Sequence, residues 1–164
     1  MSVFNIIHIL LYILYLSFFL WLIHRWSFFE FVEISKKQLS FFFLLKVIAG
    51  VLLTVIYTYH YSNPAKADIY RYFNDSLVIT HLIFHHPAVW LKVISDVGIN
   101  EAEVFRYLLP TLYFSHPVND IATNNAFLIR ILSVFNYFSF SNIYIDTLFL
   151  NFFSFIGLTF LFKA

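Results

Sequence analysis

The sequence predicts an all-α, multi-pass membrane protein with three transmembrane helices and with in-plane amphipathic helices beside them. Of its 164 residues, 61% are hydrophobic and 12% are charged, and this charged share is about half that of an ordinary soluble domain. The mean hydropathy is +0.79. A soluble chain of this length cannot bury so much apolar surface, so we expect a lipid bilayer to cover part of it.

Composition also excludes several classes of protein. The 23 Phe and 11 Tyr residues supply far more apolar surface than a disordered chain has. Ten Lys and Arg residues against nine Asp and Glu give a net charge of +1, so the chain has no basic field for nucleic acid. The sequence contains no Cys, which excludes disulfides, thiolate metal sites and thiol catalysis.

Residues 3–23 form the first predicted span, an uninterrupted stretch of 21 positions without a formal charge. At roughly 1.5 Å per residue, a helix of this length crosses a hydrocarbon core of about 30 Å. A secretory signal peptide is the competing interpretation, but the stretch has neither a positive amino-terminal region nor a small-residue cleavage site. Residues 24–40 then form a short loop that carries Arg25, Lys36 and Lys37.

Residues 41–59 and 143–162 are the second and third predicted spans. Lys46 lies close enough to the beginning of the second span for its ammonium group to snorkel to the surface. Asp146 lies one turn inside the third span, and Asn151 lies deeper. A carboxylate is costly in lipid, so we expect Asp146 either to reach water or to face a cavity together with Asn151.

The basic residues predict the orientation of the chain. Cytoplasmic loops of membrane proteins carry an excess of Lys and Arg, which places residues 24–40 on the cytoplasmic side. The amino terminus and residues 60–142 then lie outside. We therefore expect a multi-pass protein of the cell (inner) membrane with an extracytoplasmic amino terminus.

The outer region, residues 60–142, contains three segments with helical patterns. Residues 67–86 have apolar side chains at near-helical spacing and end before a proline. Residues 100–109 open with Asn100 and Glu103 in capping-box spacing. Residues 124–138 have an apolar stripe and a polar face, as an in-plane helix requires. The stripe consists of Phe127, Leu128, Ile131, Leu132, Phe135 and Phe138. The polar face consists of Arg130, Ser133, Asn136 and Tyr137.

The first of these segments carries the clearest chemical pattern. Asp68, Arg71 and Asp75 are spaced i, i+3 and i+7 and share one helix face. Two carboxylates beside one guanidinium suit a hydroxylated or phosphorylated head group, because Asp accepts a proton or holds a cation and Arg meets phosphate oxygens bidentately. The alternative is a solvated face whose ion pairs each contribute less than about 1 kcal/mol.

This region resembles the first outer loop of GT-C-type membrane glycosyltransferases. A hydrophobic span leads into a loop with an early acid, Asp68, followed by the pair Arg71 and Tyr72. The resemblance implies sugar transfer from a polyprenyl-phosphate donor outside the membrane, so a lipid-linked sugar is the expected partner. Asp68 would be the catalytic acid, engaging the acceptor hydroxyl or a divalent cation. Tyr72, Asp75 and the guanidinium of Arg71 or Arg130 would bind substrate.

Two features depart from the pattern of that superfamily. Many members have a second acid directly after the first, whereas Ile69 follows Asp68 here. Members also have more spans, typically seven or more, and a carboxy-terminal domain. The resemblance therefore implies the amino-terminal part of a larger transferase, inactive on its own.

Two other functions are compatible with the sequence. In a transport or lipid-handling subunit, Lys46, Asp146 and Asn151 would line a polar path. In a non-catalytic partner, aromatic faces would pack against other membrane helices. His81 and His85 have the spacing of a helical metal chelate, but the sequence indicates no third ligand, and we assign no metal-binding residues.

Overall fold

The computed structural model describes residues 6–31, 33–60, 67–99, 101–114 and 124–163. Within these residues the chain is helical and has no β-strand. The helices are α1 (Ile6–Arg25), a 3₁₀ helix (Ser27–Phe29), α2 (Lys36–His60), α3 (Asp68–His85), α4 (Pro87–Ser95), α5 (Ala102–Leu108), α6 (Asn124–Ser139) and α7 (Ile143–Lys163). They form two compact units, residues 1–58 with 142–164 (unit 1) and residues 59–141 (unit 2).

Helices α1, α2 and α7 are each long and apolar enough to cross a membrane. The chain is therefore an all-α membrane protein with three candidate spans, which confirms the predicted fold class. Helix α2 begins five residues before the predicted span. Its first turn is capped by Ser35, whose Oγ accepts the Gln38 N–H at 3.3 Å while the Gln38 side chain accepts the Ser35 N–H at 2.9 Å.

An aromatic cluster forms the core of unit 1. The rings of Phe19 and Phe152 stack with their centroids 4.1 Å apart, and Phe43 lies edge-on to Phe152 at 5.7 Å. Phe29, from the 3₁₀ helix, stacks on Phe155 at 6.1 Å. Large apolar side chains on the opposite faces of the same helices are exposed. This surface is the one that a bilayer would cover.

A second set of contacts in unit 1 brings α2 close to α7. The Asn151 side chain lies against Gly50, where a Cβ atom would overlap the Asn151 amide and lie 3.1 Å from Thr147 Cγ2. One turn further along α2, Thr54 Oγ1 lies 3.4 Å from Thr147 Oγ1. Small and hydroxylated residues let membrane helices approach closely in this way.

Unit 2 contains α3 to α6 around an apolar core. Helix α3 ends at His85 because Pro87 cannot continue it, and the same proline starts α4 at a position where its missing N–H costs nothing. Helix α5 begins at Ala102, and Asn100 of the predicted capping box lies outside the described residues. The buried core residues are Ile79, Leu82, Val89, Val93, Ile99, Val104, Leu108, Phe114, Ala126 and Ile129.

Two polar residues of helix α6 pack inside the protein. Ser133 and Asn136 are buried against α3, where Asn136 Nδ2 donates to Ser76 Oγ at 2.7 Å and Thr80 Oγ1 donates to the Ser133 carbonyl at 2.9 Å. Phe127 and Phe138, from the predicted apolar stripe, are 66% and 50% exposed. The predicted division is only partly reproduced, because Leu132 of the apolar stripe is buried and Tyr137 of the polar face is exposed. The buried hydrogen bonds place Ser133 and Asn136 against α3.

Candidate functional site

Asp68 and Arg71 form an exposed ion pair at the beginning of α3. Asp68 Oδ1 lies 3.6 Å from Arg71 Nη1, and the Asp68 side chain is 67% exposed. Asp68 is in the first turn of the helix, where the positive end of the helix dipole stabilises a carboxylate. The carboxylate is therefore open to a second partner, and the structure brings together two of the five predicted site residues.

A groove of about 390 Å³ adjoins this pair. It runs between the first turns of α3 and the segment that follows α5. Arg71 is part of its wall, whereas Asp68 is not among its lining residues. The lining residues are Arg71, Asn74, Asp75, Pro110, Thr111 and Leu112.

Asp75 lines the same groove, but its carboxylate is bound to the backbone. Its side chain is buried, at 4% exposure. Leu112 N–H donates to both carboxylate oxygens, at 2.8 and 3.0 Å, and Tyr113 N–H donates to Oδ2 at 2.8 Å. Burial raises the pKa of Asp75, and the two backbone donors oppose that rise. These bonds fix the segment after α5 to α3.

Tyr72 connects α3 to α6. Its hydroxyl donates to Asn125 Oδ1 at 3.1 Å, and its ring lies 5.2 Å from that of Tyr113. Burial, followed by the interaction with Tyr113, raises the pKa of the Tyr72 phenol. The phenol thus remains a neutral hydrogen-bond donor that joins two helices.

Arg130 is engaged at the end of α4. Its guanidinium pairs with Asp96 and lies 5.7 Å from the centroid of the Phe114 ring. Asp96 adopts a left-handed backbone conformation as the C-cap of α4, with φ of 64°. These contacts join α6 to α4, so the guanidinium available beside Asp68 is that of Arg71.

His81 and His85 lie one helical turn apart with their rings stacked. The ring centroids are 4.2 Å apart and the planes differ by 24°. Within the part of the chain that the structure describes, no three His, Asp or Glu side chains are grouped as metal ligands.

Asp146 and Asn151 lie on the part of α7 that packs inside unit 1. Asp146 is 1% exposed, in the first turn of α7. That turn is capped by Asn142, whose Oδ1 accepts the Tyr144 N–H at 3.0 Å. Asn151 is packed against Gly50. Asp146 is thus buried, and Asn151 lies at the contact of α7 with α2.

The sequence pattern does not predict the hydrogen bonds from the backbone to Asp75. The spacing of Asp68, Arg71 and Asp75 indicates one helix face. Asp75, however, is next to the buried Ser76 and one turn before the buried Ile79, and it is itself buried. The sequence signal that could have identified it is the turn that starts at Pro110, since a turn leaves backbone N–H groups that need an acceptor.

Comparison of the chain with known protein families, with curated proteins and with solved structures finds no significant match.

Proposed function

We propose that this chain forms part of a GT-C-like membrane glycosyltransferase, which transfers a sugar from a polyprenyl-phosphate donor at the extracytoplasmic face. The observation that supports this proposal is the exposed pair of Asp68 and Arg71 beside an open groove. A transferase of this kind needs an accessible acid and a cation for phosphate in one place. A buried, fully bonded carboxylate such as that of Asp75 does not meet this requirement.

The chemistry follows from the two side chains. The Asp68 carboxylate accepts the proton of an acceptor hydroxyl as the hydroxyl oxygen bonds to the anomeric carbon of the sugar. The bond from that carbon to the phosphate oxygen breaks, and the electron pair leaves with the polyprenyl phosphate. Arg71 stabilises the negative charge of the departing phosphate through paired N–H donors.

In this proposal, the remaining predicted residues hold the groove in place and do not contact substrate. Asp75 holds the groove wall by its bonds to Leu112 and Tyr113. Tyr72 keeps α3 and α6 in register through Asn125. Arg130 anchors α6 at Asp96. These three residues position the groove, while Asp68 and Arg71 contact substrate.

The test is sugar transfer by membranes of cells that express the longest open reading frame containing this chain, supplied with a labelled polyprenyl-phosphate sugar. Removal of a general base typically costs about 100- to 10,000-fold in rate, so Asp68→Asn should lower transfer at least about 100-fold. Glu103→Gln is the matched control, because Glu103 is an exposed carboxylate of the same unit and Arg71 pairs with Asp68 instead.

Two results would contradict the proposal. One is equal transfer by the wild type and the Asp68→Asn variant. The other is wild-type transfer no greater than that of membranes without the chain.

A further inference from the structure

Unit 2 has a second groove, of about 580 Å³, between α3 and α5. None of the residues assigned above to sugar transfer is among its lining residues. Four of the lining side chains are imidazole or guanidinium groups. The lining residues are Val78, His81, Leu82, His85, His86, Arg106, Tyr107 and Pro110.

The polar groups of this groove are suited to donate hydrogen bonds. Arg106 carries five N–H donors and no acceptor, each imidazole offers an N–H, and Tyr107 offers an O–H. None of the described residues that line the groove is acidic. Arg106 is exposed, and it makes no ion pair with any residue that the structure describes. Its guanidinium is therefore available to an anion.

The ring geometry favours an anion over a metal ion. His81 and His85 are stacked face to face, with centroids 4.2 Å apart and planes 24° from parallel. A chelating pair must aim two in-plane lone pairs at one point about 2 Å from each nitrogen, whereas stacked rings aim them side by side. Ring edges that lie side by side can instead present two N–H donors to the oxygens of one anion.

The residues that line the groove indicate which anion it can bind. His86, the C-cap of α3, lies against Tyr107 of α5 with ring centroids 4.3 Å apart. The histidines at the end of α3 therefore lie across the groove from α5, which carries Arg106. Phosphate has several oxygens and accepts a guanidinium bidentately. Val78, Leu82 and Pro110 give the remaining wall an apolar surface, which suits the carbon attached to a phosphate ester.

We propose that this groove is a binding site for a phosphate group, carried either by a lipid head group or by a soluble phosphate. Arg106 provides the charge, and His81, His85 and Tyr107 provide the remaining donors. This inference is independent of the proposed sugar transfer, because Asp68 and Arg71 lie outside the groove.

The experiment uses the full chain in detergent micelles and counts bound ligand by native mass spectrometry. The probes are a short-chain phosphatidate, the matching diacylglycerol without phosphate, inorganic phosphate as competitor, and Zn²⁺ alone. Phosphatidate should bind and diacylglycerol should not. Arg106→Gln should weaken phosphatidate binding about tenfold, the effect of losing one charge-assisted contact. Adding His81→Gln to that variant should weaken binding further.

Two arginine variants separate this site from others. Arg25→Gln, at the end of α1, is the control for a general effect of charge and should bind phosphatidate as the wild type does. Arg71→Gln tests the proposed transferase groove. Loss of phosphatidate binding in Arg71→Gln but not in Arg106→Gln would overturn the proposal. Circular dichroism verifies that each variant retains its helices.

Every outcome decides the proposal. Phosphatidate binding that inorganic phosphate cannot displace supports a lipid head group, and displacement by inorganic phosphate supports a soluble ligand. Equal binding of phosphatidate by wild type and Arg106→Gln, or no phosphate binding at all, overturns the proposal. Binding of Zn²⁺ without binding of phosphate replaces it with a metal site.

Discussion

Asp75 is a carboxylate that stabilises the backbone of a turn. The N–H groups of Leu112 and Tyr113 follow α5 and have no helical acceptor, and Asp75 accepts both. The N–H donors replace the water molecules that a buried carboxylate has lost. Burial still has the larger effect and raises the pKa of this group.

This raised pKa makes a prediction about stability and pH. An acid whose folded pKa is raised contributes stability that is fully present below its unfolded value, here the ordinary value of 3.8, and that is lost as the pH rises through the folded value. The melting temperature of the wild type, relative to that of Asp75→Asn, should therefore be highest in acid and fall as the pH rises. Thermal unfolding of both proteins at a series of pH values measures this difference. A difference that grew with pH would contradict the assigned direction.

The residues of the candidate site were only partly predictable. Helical periodicity was sufficient to pair Asp68 with Arg71, because an i, i+3 contact depends on local geometry alone. The partners of Asp75 and Arg130 could not be predicted from sequence. Leu112 is 37 positions from Asp75, and Asp96 is 34 positions from Arg130, so both contacts depend on how the helices pack.

Hydropathy predicts the candidate spans better than it predicts where their helices begin. The predicted second span began at residue 41, where the apolar run starts, but α2 begins at Lys36. The capping pair of Ser35 and Gln38 was visible in the sequence and marks the true beginning. Helix α4 was not predicted, although Pro87 followed by apolar residues is a helix-start signal.

The contact of α2 with α7 predicts that alanine has different effects on stability at the two helical glycines Gly50 and Gly157. Gly50 and Gly157 are both inside helices, but a Cβ atom would meet Asn151 and Thr147 at Gly50 and nothing within 4 Å at Gly157. Gly50→Ala should therefore reduce the free energy of unfolding by about 1–3 kcal/mol, the usual cost of overpacking. Gly157→Ala should be neutral or stabilising by up to about 1 kcal/mol, because Ala favours helix more than Gly does. Thermal unfolding in micelles compares the two. Equal stability of the two variants would contradict the close approach.

Both units expose large apolar side chains and bury some polar ones. In unit 2, Ser76 and Asn136 are hydrogen-bonded in the interior, while Phe84 and Phe127 are exposed. Composition predicts that a bilayer covers part of the chain, but it does not predict which face of α6 is buried. That choice depends on the hydroxyl groups that α3 presents to it.

The orientation of the whole chain gives the last prediction. Arg25 ends α1, and Lys36 and Lys37 begin α2. The positive-inside rule therefore predicts that the connection between these helices lies in the cytoplasm and that α3 to α6 lie outside. The chain has no Cys, so single cysteines can be introduced at the exposed positions Lys37 and Ala102. A membrane-impermeant maleimide should label Ala102→Cys in intact cells and Lys37→Cys only after permeabilisation. The reverse pattern would place Asp68 and Arg71 on the cytoplasmic side, where a transferase of the outer face could not use them.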